Sequence, residues 1–125
     1  MPVAILASMA TDKTGAQTTV TDVPAEQRYE ISVDGSTVGL TAYRDRATDD
    51  AGQRVFFHTE VDDAYGGRGL GTILVREALD DTISRGLRIV GVCPLVAAFL
   101  KKNPDYADKA DKVTPDILSW LQSRI

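Results

Sequence analysis

A single cysteine, Cys93, and a single histidine, His58, are all that this 125-residue chain has of the side chains that build disulfides and structural zinc sites. An internal disulfide is excluded, and no Cys/His tetrahedron can assemble, so no metal is expected. No apolar run approaches the ~20 residues that span a bilayer as a helix, and no membrane partner is expected. Basic residues are in the minority: 14 Lys and Arg against 18 Asp and Glu leave a formal net charge of −4. The positive footprint that nucleic-acid backbones require is missing, which argues against nucleic acid as a partner. The opening stretch, Met1 to Ala10, lacks a cationic lead before its short apolar part. A reducing, cytoplasmic setting is expected on that ground.

What the chain does have is material for one core. Its apolar fraction is 43%, and its length suits one domain rather than two. Residues 1–27 are rich in Ala, Thr, Asp and Gln, with apolar positions too scattered to define a face, and they read as a flexible N-terminal segment. The domain, residues 28–125, begins with Tyr29, Ile31 and Val33 alternating with polar neighbours. Asp34-Gly35 suits a tight hairpin, and Val38, Leu40 and Ala42 return. The β-branched and aromatic run Val55 to Val61 predicts a central strand. Leu74, Val75, Ala78, Leu79 and Thr82 then mark one side of a helix that Gly86 stops, and Leu87 to Val92 predicts a short buried strand. Pro94 suits the first turn of a second helix, and Thr114 caps an additional C-terminal helix near residues 114–124. Antiparallel strands followed by strand, helix, strand, helix predict an α+β fold, a compact mixed sheet covered by helices. A self-contained domain of this kind is expected to be a monomer.

The most informative segment is Tyr65-Gly66-Gly67-Arg68-Gly69-Leu70-Gly71, between a buried strand and an amphipathic helix. Clustered glycines let backbone approach a ligand closely, and the helix start adds unpaired N–H groups and a positive dipole end, which together suit phosphate or diphosphate. A triphosphate-binding P-loop is excluded because Gly71 stands where lysine would precede Thr72. The dinucleotide fingerprint fails at Leu74, where its third glycine belongs. The plain alternative is a tight strand-to-helix connection with no ligand at all.

Gly66 to Gly71 resembles the R/Q-x-x-G-x-G/A signature of the GNAT superfamily of N-acetyltransferases, in particular the small YjdJ-like or NATD1-like subgroup. The resemblance runs from Arg28 to Ala107. It includes Phe57-His58-Thr59-Glu60-Val61 before the loop, Val92-Cys93-Pro94-Leu95-Val96-Ala97-Ala98-Phe99-Leu100 after it, and Asn103-Pro104-Asp105-Tyr106. It implies a GNAT-like fold and acetyl-CoA as cosubstrate, with the acetyl group passed to an amine acceptor, small molecule or protein, that the sequence does not identify. The cofactor-binding residues implied are Gly66, Gly67, Arg68, Gly69, Leu70, Gly71 and Thr72 for the diphosphate, the backbone of Thr59 to Val61 for the pantetheine arm, and Tyr106. Three positions depart from the pattern. Gly66 replaces the usual Arg or Gln, Leu95 an aromatic residue, and Asn103 a histidine. Arg68 is the side chain left to reach a phosphate.

Cys93 falls directly before Pro94 and is expected at the acetyl end, accepting the acetyl group or lining its channel; the alternative is a small buried hydrophobe. An ammonium acceptor must lose a proton before attack, and Glu60 or His58 is the group to take it. Simple alternation puts Phe56, His58 and Glu60 on one strand face, and Val55, Phe57, Thr59 and Val61 on the other. A rival reading keeps the fold without catalysis, as an acyl-CoA-binding or protein-interaction domain, motivated by the missing Arg or Gln at Gly66. A third has Cys93 carry the acyl group covalently.

Overall fold

The computed structural model describes residues 7–125; residues 1–6 of the expected flexible segment lie outside that range. Six strands form one sheet in chain order: β1 (Ala7–Thr11), β2 (Gln17–Val23), β3 (Arg28–Val33), β4 (Ser36–Arg46), β5 (Gln53–Val61) and β6 (Arg88–Gly91). Neighbours are antiparallel except β5 and β6, which run parallel and are joined through helix α1 (Leu70–Ser84). Helices α2 (Pro94–Lys102), α3 (Pro104–Ala107) and α4 (Pro115–Gln122) complete an α+β fold of a mixed sheet covered by helices. No helix among the described residues is long and apolar enough to cross a membrane.

Local sequence explains most of these boundaries. Asp34 and Gly35 both adopt positive φ, 49° and 86°, which is the geometry a two-residue hairpin demands. Gly86, at φ 75°, follows the last turn of α1. Pro94 opens α2 behind Cys93 as its N-cap residue, and Thr114 Oγ1 accepts the Ile117 amide at 3.2 Å to cap α4.

The sheet has two unequal faces. Leu70, Ile73, Leu74, Val75, Ala78 and Leu79 of α1 pack with Tyr29, Ile31, Tyr43, Phe56, Cys93 and Val96 in the larger core. On the opposite face α4 lays Ile117 and Leu121 over Val55 and Val90. Alongside β6, Ile89 bonds Lys109 and Asp111, which fixes the path of the chain into α4.

The sheet starts well before Arg28, contrary to the sequence expectation for residues 7–27. Thr18 and Val20 of β2 are buried, and β2 pairs with β3 over six residues. The alternation is there, but half of it is threonine. The Thr18 hydroxyl donates to the Ala10 carbonyl at 3.0 Å, which satisfies a polar group on an inward position.

Strand β5 also departs from simple alternation. Ala42 pairs with His58 but Tyr43 pairs with Phe56, so Phe57 is an extra residue in the ladder. A bulge of this kind reverses the inward and outward parity of everything beyond it. Phe56 therefore shares the α1 side with Thr59 and Val61, while Phe57 packs toward α4 and His58 and Glu60 are exposed. Simple alternation had grouped Phe56 with His58 and Glu60.

Candidate functional site

The glycine loop follows a short turn at Asp63–Tyr65, capped by Asp62, whose Oδ1 accepts the Ala64 amide at 3.0 Å. Gly66 is occupied locally: its amide donates to the Asp63 carbonyl at 3.1 Å. Beyond it, the amides of Gly67, Arg68, Gly69, Leu70, Gly71 and Thr72 donate no hydrogen bond among the described residues; the next amide, Ile73, donates to Gly69 at 3.1 Å. Gly67 and Gly69 hold the loop open with φ of 74° and 78°, and a Cβ at Gly67 would meet only open space. Leu70 turns its side chain into the core, so what it presents to the loop is its amide. Six consecutive donors without a partner among the described residues thus precede and open a 15-residue helix at its positive end, an arrangement chemically suited to an anion.

Arg68 is placed differently from its expected role. Its Nε donates to Asp12 Oδ2 at 2.8 Å, an Nη reaches Thr14 Oγ1 at 3.2 Å, and its guanidinium lies 5.0 Å from the Tyr65 ring centroid. The β1–β2 turn thus takes hold of this side chain. Asp12 has no exposed side-chain surface. Burial pushes its carboxyl up, but hydrogen bonds from the Thr14 hydroxyl, the Ala16 and Thr14 amides and Arg68 outweigh that and bring its pKa down to about 2. Asp12 and Thr14 went unnoticed in the sequence because they lie 56 and 54 residues from Arg68.

A cleft of about 350 Å³ runs from Gly71 and Thr72 between α1 and α2, lined by Val75, Arg76, Leu95, Phe99 and Tyr106. Tyr106 packs edge-on to Phe99 at 5.0 Å and donates to Asp80 Oδ1 at 2.8 Å. Burial, then the bond to Asp80, pushes its pKa up to about 12. The hydroxyl is turned to α1 and does not line the cavity at Cys93.

That second cavity, about 360 Å³, is bounded by Phe57, His58, Thr59, Cys93, Pro94 and Leu95. Leu95, 43% exposed, lines both spaces. It exists because β5 and β6 part company. Their last pair is Phe56 with Gly91, and the Phe56 carbonyl then accepts from both Val92 and Cys93, at 2.9 and 3.0 Å, as the chain turns into α2. From Phe57 to Val61, β5 keeps β4 on one side and has no strand partner on the other among the described residues. Gly91 allows α2 to close over this fork, since a Cβ there would lie 3.0 Å from Val96 Cγ1.

Cys93, 3% exposed, sets its Sγ 3.3 Å from Thr59 Oγ1, which in turn lies 2.8 Å from the buried Thr41 Oγ1. Thr41 drew no attention in the sequence, as nothing marks a strand threonine as the support of a distant cysteine. His58 Nε2 lies 3.3 Å from Glu60 Oε2, and their side chains are 55% and 62% exposed. His58 borders the Cys93 cavity, whereas Glu60 faces a separate groove with Arg28, Glu30 and Asp63. The structure thus gathers His58, Thr59 and Cys93, and places Glu60 behind His58.

The chain is 40% identical over 73 residues to Protein NATD1 of Bos taurus, covering 54% of this chain and 65% of that protein. Protein NATD1 of Gallus gallus and of Homo sapiens are each 37% identical over 73 residues, with 54% of this chain and 66% and 65% of those proteins covered. The chain therefore spans just under two thirds of the length of these relatives. A family model described as GCN5-related N-acetyl-transferase matches residues 28–109, from the first residue of β3 to just past α3, leaving the β1–β2 hairpin and α4 outside. On that match, the chain belongs to the GCN5-related N-acetyltransferase family.

Proposed function

We propose that the protein is an N-acetyltransferase that takes an acetyl group from acetyl-CoA and passes it to an amine. The run of six unpartnered amides from Gly67 to Thr72 carries the reading, because a diphosphate is the chemistry such a cradle fits. The unpaired edge of β5 supports it further. An extended pantetheine arm carries amide groups, and Thr59 to Val61 offer backbone partners as an added strand would. In this reading the acyl arm passes Leu95, which lines both cavities, between the glycine loop and Cys93.

The transfer moves an acyl group from sulfur to nitrogen: the neutral amine forms a bond to the thioester carbonyl carbon, the C–S bond breaks, and the proton that the new amide nitrogen sheds goes to the departing thiolate. Proximity and preorganised donors supply most of the rate. His58 is the group on the cavity wall able to take the amine's proton. With Nε2 turned to Glu60, its Nδ1 is the acceptor, and Glu60 orients the ring. Cys93 and Thr59 line the acetyl end.

Calorimetry with acetyl-CoA, followed by thiol release in the presence of mixed amines, tests the proposal. Binding with amine-dependent thiol release is expected. No heat at millimolar ligand from folded protein overturns it, and binding without thiol release favours a non-catalytic acyl-CoA-binding domain, the reading that Gly66 in place of Arg or Gln supports. A persistent acetyl adduct in intact mass, lost in Cys93→Ala, would favour covalent carriage instead.

A further inference from the structure

The loop's own cation is engaged elsewhere: Asp12 and Thr14 take Arg68, and Gly66 has no side chain. The same β1–β2 turn brings in another. Lys13 donates its amide to the Arg68 carbonyl at 3.0 Å, which fixes its backbone against the glycine loop. Its stem then runs along Gly69. A Cβ built at Gly69 would lie 3.3 Å from Lys13 Cε, 3.5 Å from Cγ and 3.7 Å from Cδ. Cε, one bond from the ammonium, is thereby held against Gly69, whose amide is one of the six without a partner. Lys13 is exposed, and its ammonium forms no ion pair among the described residues; the nearby carboxylate, Asp12, pairs with Arg68.

We infer that Lys13 is a diphosphate-binding residue, supplied by a hairpin that lies outside the family match and replacing the loop cation that Gly66 lacks and Arg68 does not provide. This rests on the acetyl-CoA reading above and adds a residue to it. The hairpin then has two tasks: Asp12 clamps the loop, and Lys13 completes its charge.

The test measures acetyl-CoA affinity for the wild type, Lys13→Ala, Lys13→Arg and a charge-matched control, Lys112→Ala, an exposed lysine bordering neither cavity. Lys13→Ala is expected to bind about tenfold more weakly, as loss of one charge-assisted contact implies. Lys13→Arg should stay within about threefold of the wild type, and Lys112→Ala should be unchanged. Added salt should weaken the wild type more than Lys13→Ala, a response a merely structural residue would not produce. The tenfold loss should persist with 3′-dephospho-acetyl-CoA; its disappearance there would overturn the diphosphate assignment. Wild-type binding with Lys13→Ala equally tight overturns the role of Lys13 alone, whereas no binding by folded wild type overturns the acetyl-CoA reading itself.

Discussion

The two ends of α1 treat polar groups in opposite ways. At the C-terminal end acids and bases are gathered into one ion-pair network, although Asp22 Oδ2 and Asp81 Oδ1 are buried there without a hydrogen-bond partner. Arg54, 5% exposed, donates to Asp45 at 2.7 and 2.9 Å and to the Tyr29 hydroxyl at 2.6 Å, with its guanidinium 3.9 Å from the Tyr43 ring centroid. Tyr29 donates to Asp81 at 2.6 Å, Tyr43 to Asp22 at 2.7 Å, and Arg85 pairs with both acids. Burial, reinforced by these carboxylates, pushes both phenols up, so they remain hydrogen-bond donors. At the N-terminal end six amides in succession have no partner among the described residues. Most polar groups at the closed end find partners within the fold, while donors left open on a rigid element are available to a ligand.

Removing Arg54 should break the closed end most severely. Arg54→Met strips Asp45 and the Tyr29 hydroxyl of their donor and removes the cation 4.0 and 3.9 Å from Asp22 and Asp81, leaving Arg85 as those two acids' only ion-pair partner among the described residues; a loss of about 3–5 kcal/mol is expected in urea denaturation. Coenzyme affinity per folded molecule should be unchanged. Gly69→Glu attacks the open end: a carboxylate at φ 78° beside the cradle should weaken acetyl-CoA binding by about a hundredfold or more in calorimetry. Unchanged affinity would contradict the assignment of the loop. His58→Ala, lying past the far end of the cleft, should lower turnover by about a hundredfold in a thiol-release assay while leaving coenzyme affinity within about twofold.

The smallest effect is expected where the two styles meet, at Asp12, a matched ion pair placed to serve the open loop. Its carboxyl ionises at about 2 in the fold against an ordinary 3.8. A depressed carboxyl contributes stability that is complete above its unfolded value and is lost as pH falls through the folded one. Asp12→Asn should therefore lie below wild type in stability at neutral pH. The gap should close between about pH 4 and pH 2, as followed by denaturation across that window.

Much of the middle of the chain was legible. Asp34-Gly35, the stripe Leu74 to Thr82, Pro94 and Thr114 each carry a local signal whose physics acts within a few residues, and each stands where that signal put it. The glycine turn into α1 was legible for the same reason, with Gly67 and Gly69 at positive φ and the helix starting at Leu70. The hairpin before Arg28 was not, because threonine hydroxyls on inward positions look polar until their partners are seen. The parity of β5 was not, because the extra residue at Phe57 is defined by its pairing with β4 and not by its own identity.

Sequence by itself determined the backbone chemistry: where glycines permit positive φ, where proline and threonine begin helices, and which helix face is apolar, since these depend on each residue and its near neighbours. Only the tertiary structure decided which side chains meet. It gave Arg68 to Asp12, laid Lys13 along Gly69, set Thr59 against Cys93 and put Glu60 behind His58. Those contacts join residues far apart in the chain or rest on a one-residue slip in a ladder, and no local pattern encodes either.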